Sequence, residues 1–234
     1  MQALTTLQRQ VLRCMQCPRL VEHRTRVAQE KRRQYRQEEY WGKPLPSFGD
    51  PQARLLIIGL APAAHGGNRT GRMFTGDQSG DWMYRTLHRF GFANQATSQH
   101  CDDGLTLYDA YITAAVRCVP PDNKPSGAEL VACRSYLRRE LQLLRRVRIV
   151  VPLGKIAFDA YLATRRELAL PRPVARPLFT HGAVIPFADG VLLVASYHPS
   201  RQNTQTGRLT QTMFEAIFAR VRQELDGDIP RSKP

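Results

Sequence analysis

The chain has 234 residues, 42% of them hydrophobic, enough to pack one sizeable domain or two small ones and too many for wholesale disorder. No apolar run approaches a membrane span and residues 1–17 lack the make-up of a secretory signal, so a cytoplasmic protein is expected. The formal net charge is +14, and arginine supplies 29 of the 34 basic residues. That balance favours a polyanionic partner, most simply nucleic acid, although genome composition also produces an arginine bias.

In chain order, residues 4–13 read as a short helix ending at Cys14-Met15-Gln16-Cys17-Pro18. Residues 19–38 read as a second, strongly basic helix, whose charge a solvated face explains as readily as a binding surface. Residues 43–51 form an extended connector, because each proline disfavours helix at the residue before it. The first strand, 54–58, is apolar throughout, as a strand covered on both faces is. A long glycine-rich stretch, 59–77, follows, then a helix near 81–90 and an irregular segment over 91–105. The second strand spans 108–116. Ser126 and Glu129 have the spacing of a capping box and open a helix to about residue 146. The third strand is 148–153, and Gly154 opens a helix to about residue 164. A surface loop rich in Pro and Arg covers 165–178. Residues 180–187 and 191–197 flank Asp189-Gly190, a strong hairpin signal, and 191–196 is the fourth core strand. A last amphipathic helix covers 209–225, and 226–234 is expected to fray. Strands alternating with helices predict an α/β sandwich around a mostly parallel sheet, as one domain over 1–225.

The stretch 59–77 organises this pattern. In open α/β sheets ligands bind beyond the carboxyl ends of the strands, where such loops sit. Glycines let backbone approach a ligand, and the loop also carries His65, Asn68, Arg69, Arg72, Phe74 and Asp77. An aromatic face, a carboxylate and several donors in one long loop point to a binding site rather than a solvated connection.

Cys14 and Cys17 form a C-x2-C pair, and Cys118 and Cys133 a second, looser pair. Four thiolates suit zinc or a [4Fe–4S] cluster, and spacing alone does not choose between these and buried free cysteines. Cys101 lies in the irregular segment and reads as unpaired.

Two motifs, Gly59-Leu60-Ala61-Pro62-Ala63-Ala64-His65-Gly66 with Thr75-Gly76-Asp77, and Ser196-Tyr197-His198-Pro199-Ser200-Arg201-Gln202-Asn203-Thr204, closely resemble those of the type-B (family 5) uracil-DNA glycosylases. The cysteine pattern and Cys118-Val119-Pro120-Pro121-Asp122-Asn123-Lys124-Pro125 resemble that family as well, and the resemblance spans about residues 11–222. It implies a three-layer α/β/α sandwich around a four-stranded parallel sheet. It also implies a [4Fe–4S] cluster held by Cys14, Cys17, Cys118 and Cys133. Asp77 matches the family's catalytic carboxylate and His198 the motif-two histidine facing a flipped base. Phe74 matches the aromatic stacked on uracil, Asn123 the amide reading its edge, and Ala61 and Ala63 line the base site. The segment Ser200, Arg201, Gln202, Asn203 is expected to meet DNA. In the uracil-specific type of the same superfamily the first motif reads Gly-Gln-Asp-Pro-Tyr. Ala61 stands here in place of its aspartate, so the carboxylate must come from elsewhere, and Asp77 is the nearest candidate.

The expected function is therefore a monofunctional DNA repair glycosylase, acting as a monomer on DNA that contains uracil or related deaminated or 5-substituted bases. No lysine sits in either motif to form a Schiff base. Two other readings stand beside it: a non-catalytic nucleic-acid-binding iron–sulfur protein, and a hydrolase of another nucleoside-like substrate.

Overall fold

Every residue of β2 (Leu55–Gly59) is buried, and successive side chains leave a strand on opposite faces. Leu55 and Ile57 accordingly enter one apolar cluster, and Leu56 and Ile58 another. In the computed structural model, which describes residues 2–173 and 176–227, this double covering sets the architecture. The first cluster is closed by Met83 and Leu87 of α4 (Gln78–Arg89) and by Phe214, Phe218 and Val221 of α8 (Gln211–Gly227). The second is closed by Leu4 of α1 (Gln2–Leu12), Leu137 of α5 (Gly127–Leu143), and Phe158 and Tyr161 of α6 (Lys155–Glu167). The result is a three-layer α/β/α sandwich.

The sheet has six strands rather than the expected four. The remaining five are β1 (Phe48–Gly49), β3 (Ala110–Ala114), β4 (Ile149–Pro152), β5 (Val184–Pro186) and β6 (Leu192–Val194), in the order β1-β3-β2-β4-β6-β5. The inner four are parallel, with Ile57 opposite Ile112 on one side and Val151 on the other. The two additions are antiparallel edges. β1 is two residues of the proline-rich connector against β3, and β5 is the outer arm of the Asp189-Gly190 hairpin. Neither has a fully buried residue, in contrast to the inner strands, because each is covered on one side only.

Other boundaries shift for local reasons. The second helix, α2 (Pro18–Glu30), stops well short of residue 38, because Lys31 turns to φ 47° and its N–H closes on the Val27 carbonyl. A single 3-10 turn, Arg33–Tyr35, follows. β3 starts only after Asp109, at φ 53°. Asp226 and Gly227 remain within α8 instead of fraying; the rest of the expected tail, 228–234, lies outside the described residues. The capping box at Ser126 and Glu129 forms as expected. No helix among the described residues is long and apolar enough to cross a membrane.

One buried polar network ties the layers. Arg117 and Glu140 pair at 2.6 Å with exposures of 1% and 0%. Thr113 and Ser47 donate to the same carboxylate, and so does Gln8 of α1. A buried pair is tolerable when its remaining polar atoms are hydrogen-bonded, as the carboxylate's are here. β2, β3, β4 and β6 end at one edge of the sheet, and the loops leaving them build the site.

Candidate active site

The loop after β2 is held as a rigid arch. It contains a one-turn helix, α3 (Gly67–Thr70). The buried Arg69 clamps the arch: Nε donates to the His65 carbonyl at 2.8 Å and Nη2 to the Gly76 carbonyl at 2.9 Å. Its Nη1 pairs with Glu38 while the guanidinium stacks 3.9 Å over Tyr35. Tyr40 holds His65 by a 3.1 Å contact between its hydroxyl and Nδ1. Phe74 takes φ 53°, a left-handed conformation uncommon for a bulky residue and typical of functional sites. Its ring lies where a side chain on Gly59 would sit: a Cβ there would come 2.9 Å from Phe74 Cζ.

Asp77 is the N-cap of α4, its Oδ1 accepting from the Gly80 N–H at 2.9 Å. Capping occupies one oxygen and leaves Oδ2, which lies against Gly66. Burial raises the Asp77 carboxyl above the usual carboxylate range, although the Gly80 and Ser79 N–H groups and the Arg69 cation oppose that shift.

The second motif leaves β6. Its Tyr197 N–H donates to His181 Nδ1 at 3.1 Å, and the two rings lie 5.1 Å apart. His198 follows, tilted 32° against Phe74 with ring centroids 5.7 Å apart. Burial holds its imidazole down at about 4, so the ring is neutral near pH 7, with a single N–H to donate. The stretch expected as a loop over 200–207 forms a short helix, α7 (Arg201–Gln205), capped by Ser200, whose Oγ accepts from the Asn203 N–H. Asn203 Nδ2 donates to the His198 carbonyl at 2.8 Å, so the helix orients the histidine. Arg201 and Gln202 are exposed.

Ala61, Ala63, Phe74, Asp77 and His198 line one cavity at the strand ends. Gly59, Met73, Ser79 and Ala114 complete its wall, and the last three were not singled out as site residues from the sequence. Ala114 ends a strand predicted to open on the site, and Met73 and Ser79 flank motif residues, so position was the available signal. Asn123 ends a 3-10 turn, Pro121–Asn123, at φ 56°; it is exposed and is not in the cavity wall among the described residues. Arg69 was named among the polar residues of the loop but as a site residue rather than as its clamp, and the histidine support His181 carries no sequence mark beyond its type.

The cysteines predicted as a set come together. Cys14, Cys17, Cys118 and Cys133 gather in one apolar cluster with Leu7, Val11, Leu20 and Tyr136. Cys17 caps α2, whose first residue is Pro18. The Arg117 N–H donates to Cys133 Sγ at 3.3 Å. Burial pushes the Cys118 thiol up to about 12 and Cys133 to about 11, and the neighbouring thiols add to both. Against this stand the Arg24 cation near Cys118 and Arg117 near Cys133. Arg24 is buried with two of its nitrogens unpartnered. Four soft donors on an apolar floor with uncompensated positive charge beside them fit an anionic iron–sulfur cluster bound by thiolates. Cys101 lies apart, in an exposed trio with His100 and Asp102.

A three-layer α/β/α fold whose strand-end loops place an aromatic ring, a carboxylate and a neutral histidine around one small cavity has the layout of an α/β enzyme active site. The sequence model of the uracil DNA glycosylase superfamily matches residues 46–222. Relatives include a type-5 uracil-DNA glycosylase of Thermus thermophilus, 52% identical over 90% of this chain and 93% of its own. Another, from Mycobacterium leprae, is 48% identical over 92% of this chain and 93% of its own, and one from Pyrobaculum aerophilum is 45% identical over 88% and 87%. The chain belongs to the uracil DNA glycosylase superfamily, in its type-5 group.

Proposed function

We propose that the chain excises uracil and related deaminated or 5-substituted bases from DNA by hydrolysis, leaving an abasic site. The observation that carries the reading is the meeting of Phe74, Asp77 and His198, from two separate strand ends, around one cavity. A base inside a duplex is out of reach, so the nucleotide must be flipped, stacked and hydrogen-bonded. Phe74 supplies the stacking face, and Asn123, from its exposed turn, is the amide that reads the base edge. As the bond from C1′ to the base nitrogen breaks, its electron pair moves into the base and the sugar becomes oxocarbenium-like. The neutral His198 donates its N–H to a base carbonyl oxygen where that charge develops. Asp77 Oδ2 holds the water that attacks C1′ and accepts its proton.

Cys14, Cys17, Cys118 and Cys133 hold a [4Fe–4S] cluster in this reading. When bound it supplies a structural tie between the N-terminal segment and the start of α5, and no chemical step. Protein purified without oxidants should be brown and contain iron; stoichiometric zinc in a colourless protein would remove the assignment.

Incubation with a uracil-containing duplex followed by alkali should cleave the strand at uracil. No alkali-labile site at stoichiometric protein would overturn the proposal. The same assay tests specificity. Ala63 leaves room where the uracil-specific type has tyrosine, and a pocket rejects an added small group only by clash or an unpaired polar atom. The wild type should therefore also process 5-hydroxymethyluracil, and Ala63→Tyr should lose that base selectively. Strict uracil specificity in the wild type would refute the open pocket.

The exposed Arg201, at the start of α7, should contact a phosphate. Arg201→Ala should weaken binding to all sequences and reduce the slope of log affinity against log salt by about one. An unchanged slope would make it an ordinary solvated arginine.

A further inference from the structure

Arg24 of α2 is 4% exposed, yet its Nε and Nη1 have no hydrogen-bond partner. Its Nη2 donates to Met15 Sδ at 3.0 Å, which seats the guanidinium beside the Cys14-to-Cys17 turn. A buried guanidinium without a counter-charge is strongly disfavoured. The other end of the same residue is linked to the wall of the base pocket through Asn68. The Arg24 carbonyl accepts from Asn68 Nδ2 at 3.2 Å, inside the protein. Asn68 is 0% exposed and belongs to α3. Its backbone N–H donates to the carbonyl of Ala63, in the cavity wall, at 3.0 Å, and its own carbonyl accepts from the Gly42 N–H.

We propose that Arg24 and Asn68 are positioning residues through which the cysteine-held cluster sets the geometry of the base pocket. The inference rests on the [4Fe–4S] reading. An anionic cluster supplies the charge that the two orphaned Arg24 nitrogens lack, and that fixes α2 against the cysteines. The Arg24 carbonyl then fixes Asn68, and Asn68 fixes Ala63. Cluster loss leaves a buried cation unpaired, so α2 must move, and the wall of the base pocket moves with it. Cluster integrity should thus govern excision itself as well as DNA affinity.

The test uses the full chain, with iron content, bleaching of visible absorbance by a chelator, cluster reduction potential, single-turnover excision and DNA Kd measured on each variant. Arg24→Met keeps the side chain's length and removes its charge. It should lose the cluster about 10- to 100-fold faster, as outer-sphere partners of metal sites typically do. Its potential should shift negative, because removing a nearby cation disfavours the added electron. Arg24→Lys should recover part of both effects and serves if Arg24→Met does not fold. Asn68→Ser cuts the link on the far side. It should keep wild-type iron content, bleaching rate and Kd while excision falls about 10-fold, within the range that a small misplacement of a site produces. Wild-type bleaching and potential in Arg24→Met would overturn the proposal, as would wild-type excision in Asn68→Ser. Wild-type protein that purifies without iron would instead sink the cluster reading, and the inference with it, whereas iron-depleted protein that still excises uracil at the wild-type rate would sink the inference alone.

Discussion

Asp77→Asn should lower single-turnover excision of uracil by about 100- to 1000-fold, the usual effect of removing a group that stabilises a transition state, and leave duplex affinity near wild type. The substitution is well matched to the geometry. Asp77 lines the cavity, and its two oxygens differ in their contacts: Oδ1 caps α4 through Gly80, while Oδ2 lies against Gly66 and is left for the water. Asparagine keeps a carbonyl oxygen for the cap, so α4 and the fold should survive. In place of Oδ2 it presents an amide nitrogen, which cannot accept a proton from water. The pH profile gives a second readout. Activity requires the ionised carboxylate, and burial raises the Asp77 pKa. The rate should therefore fall on acidification at a pH above the ordinary carboxylate range, and Asp77→Asn should lack that limb. His198 is held at about 4 and stays neutral throughout, so no limb should appear in the ordinary imidazole range. Near-normal turnover in Asp77→Asn, at any pH, would refute the catalytic role.

Much of this site was legible in the sequence because its parts are local. A buried parallel strand must be apolar on both faces, so β2, β3, β4 and β6 announce themselves. The loops that follow two of them carry Phe74, Asp77 and His198 within quoted motifs. What stayed hidden depends on distant packing. β1 exists only because β3 offers it a free edge, whereas β5 was already legible as the outer arm of the Asp189-Gly190 hairpin. α7 is five residues long, too short for its periodicity to be read, and forms because Ser200 caps it and Asn203 braces His198. Residues 19–38 read as one basic helix, yet Lys31 ends it, and Arg24 within it is buried rather than solvated. An arginine's type cannot show that its guanidinium is buried beside the Cys14-to-Cys17 turn, where Cys118 and Cys133 join from about a hundred residues further along the chain. Asn123 was named from its motif position, and the turn that carries it leaves the side chain exposed and free to meet a base.

Gly66→Ala should reduce excision about 100-fold, the scale expected when a reacting group is displaced by roughly an ångström. Gly66 lies at the turn into α3, with its carbonyl accepting from the Arg69 and Thr70 N–H groups. A Cβ built on it would fall well inside van der Waals contact with Asp77 Oδ2, and close to Cγ and Cβ of the same residue. The obstacle is the catalytic side chain itself. Asp77 cannot swing away freely, because Oδ1 is tied to Gly80 and the preceding Gly76 carbonyl is held by Arg69. The added methyl must therefore push Oδ2 off its position or break the cap. Truncation of the obstructing side chain isolates the effect. In an Asp77→Ala background the clash is gone, so adding Gly66→Ala should change the residual rate by no more than about 2-fold, whereas independent effects would multiply. DNA affinity should be unchanged in all three variants. A full 100-fold loss on top of Asp77→Ala would show that Gly66 acts through the backbone of the arch. A wild-type rate in Gly66→Ala alone would show that Oδ2 does not need its place against Gly66.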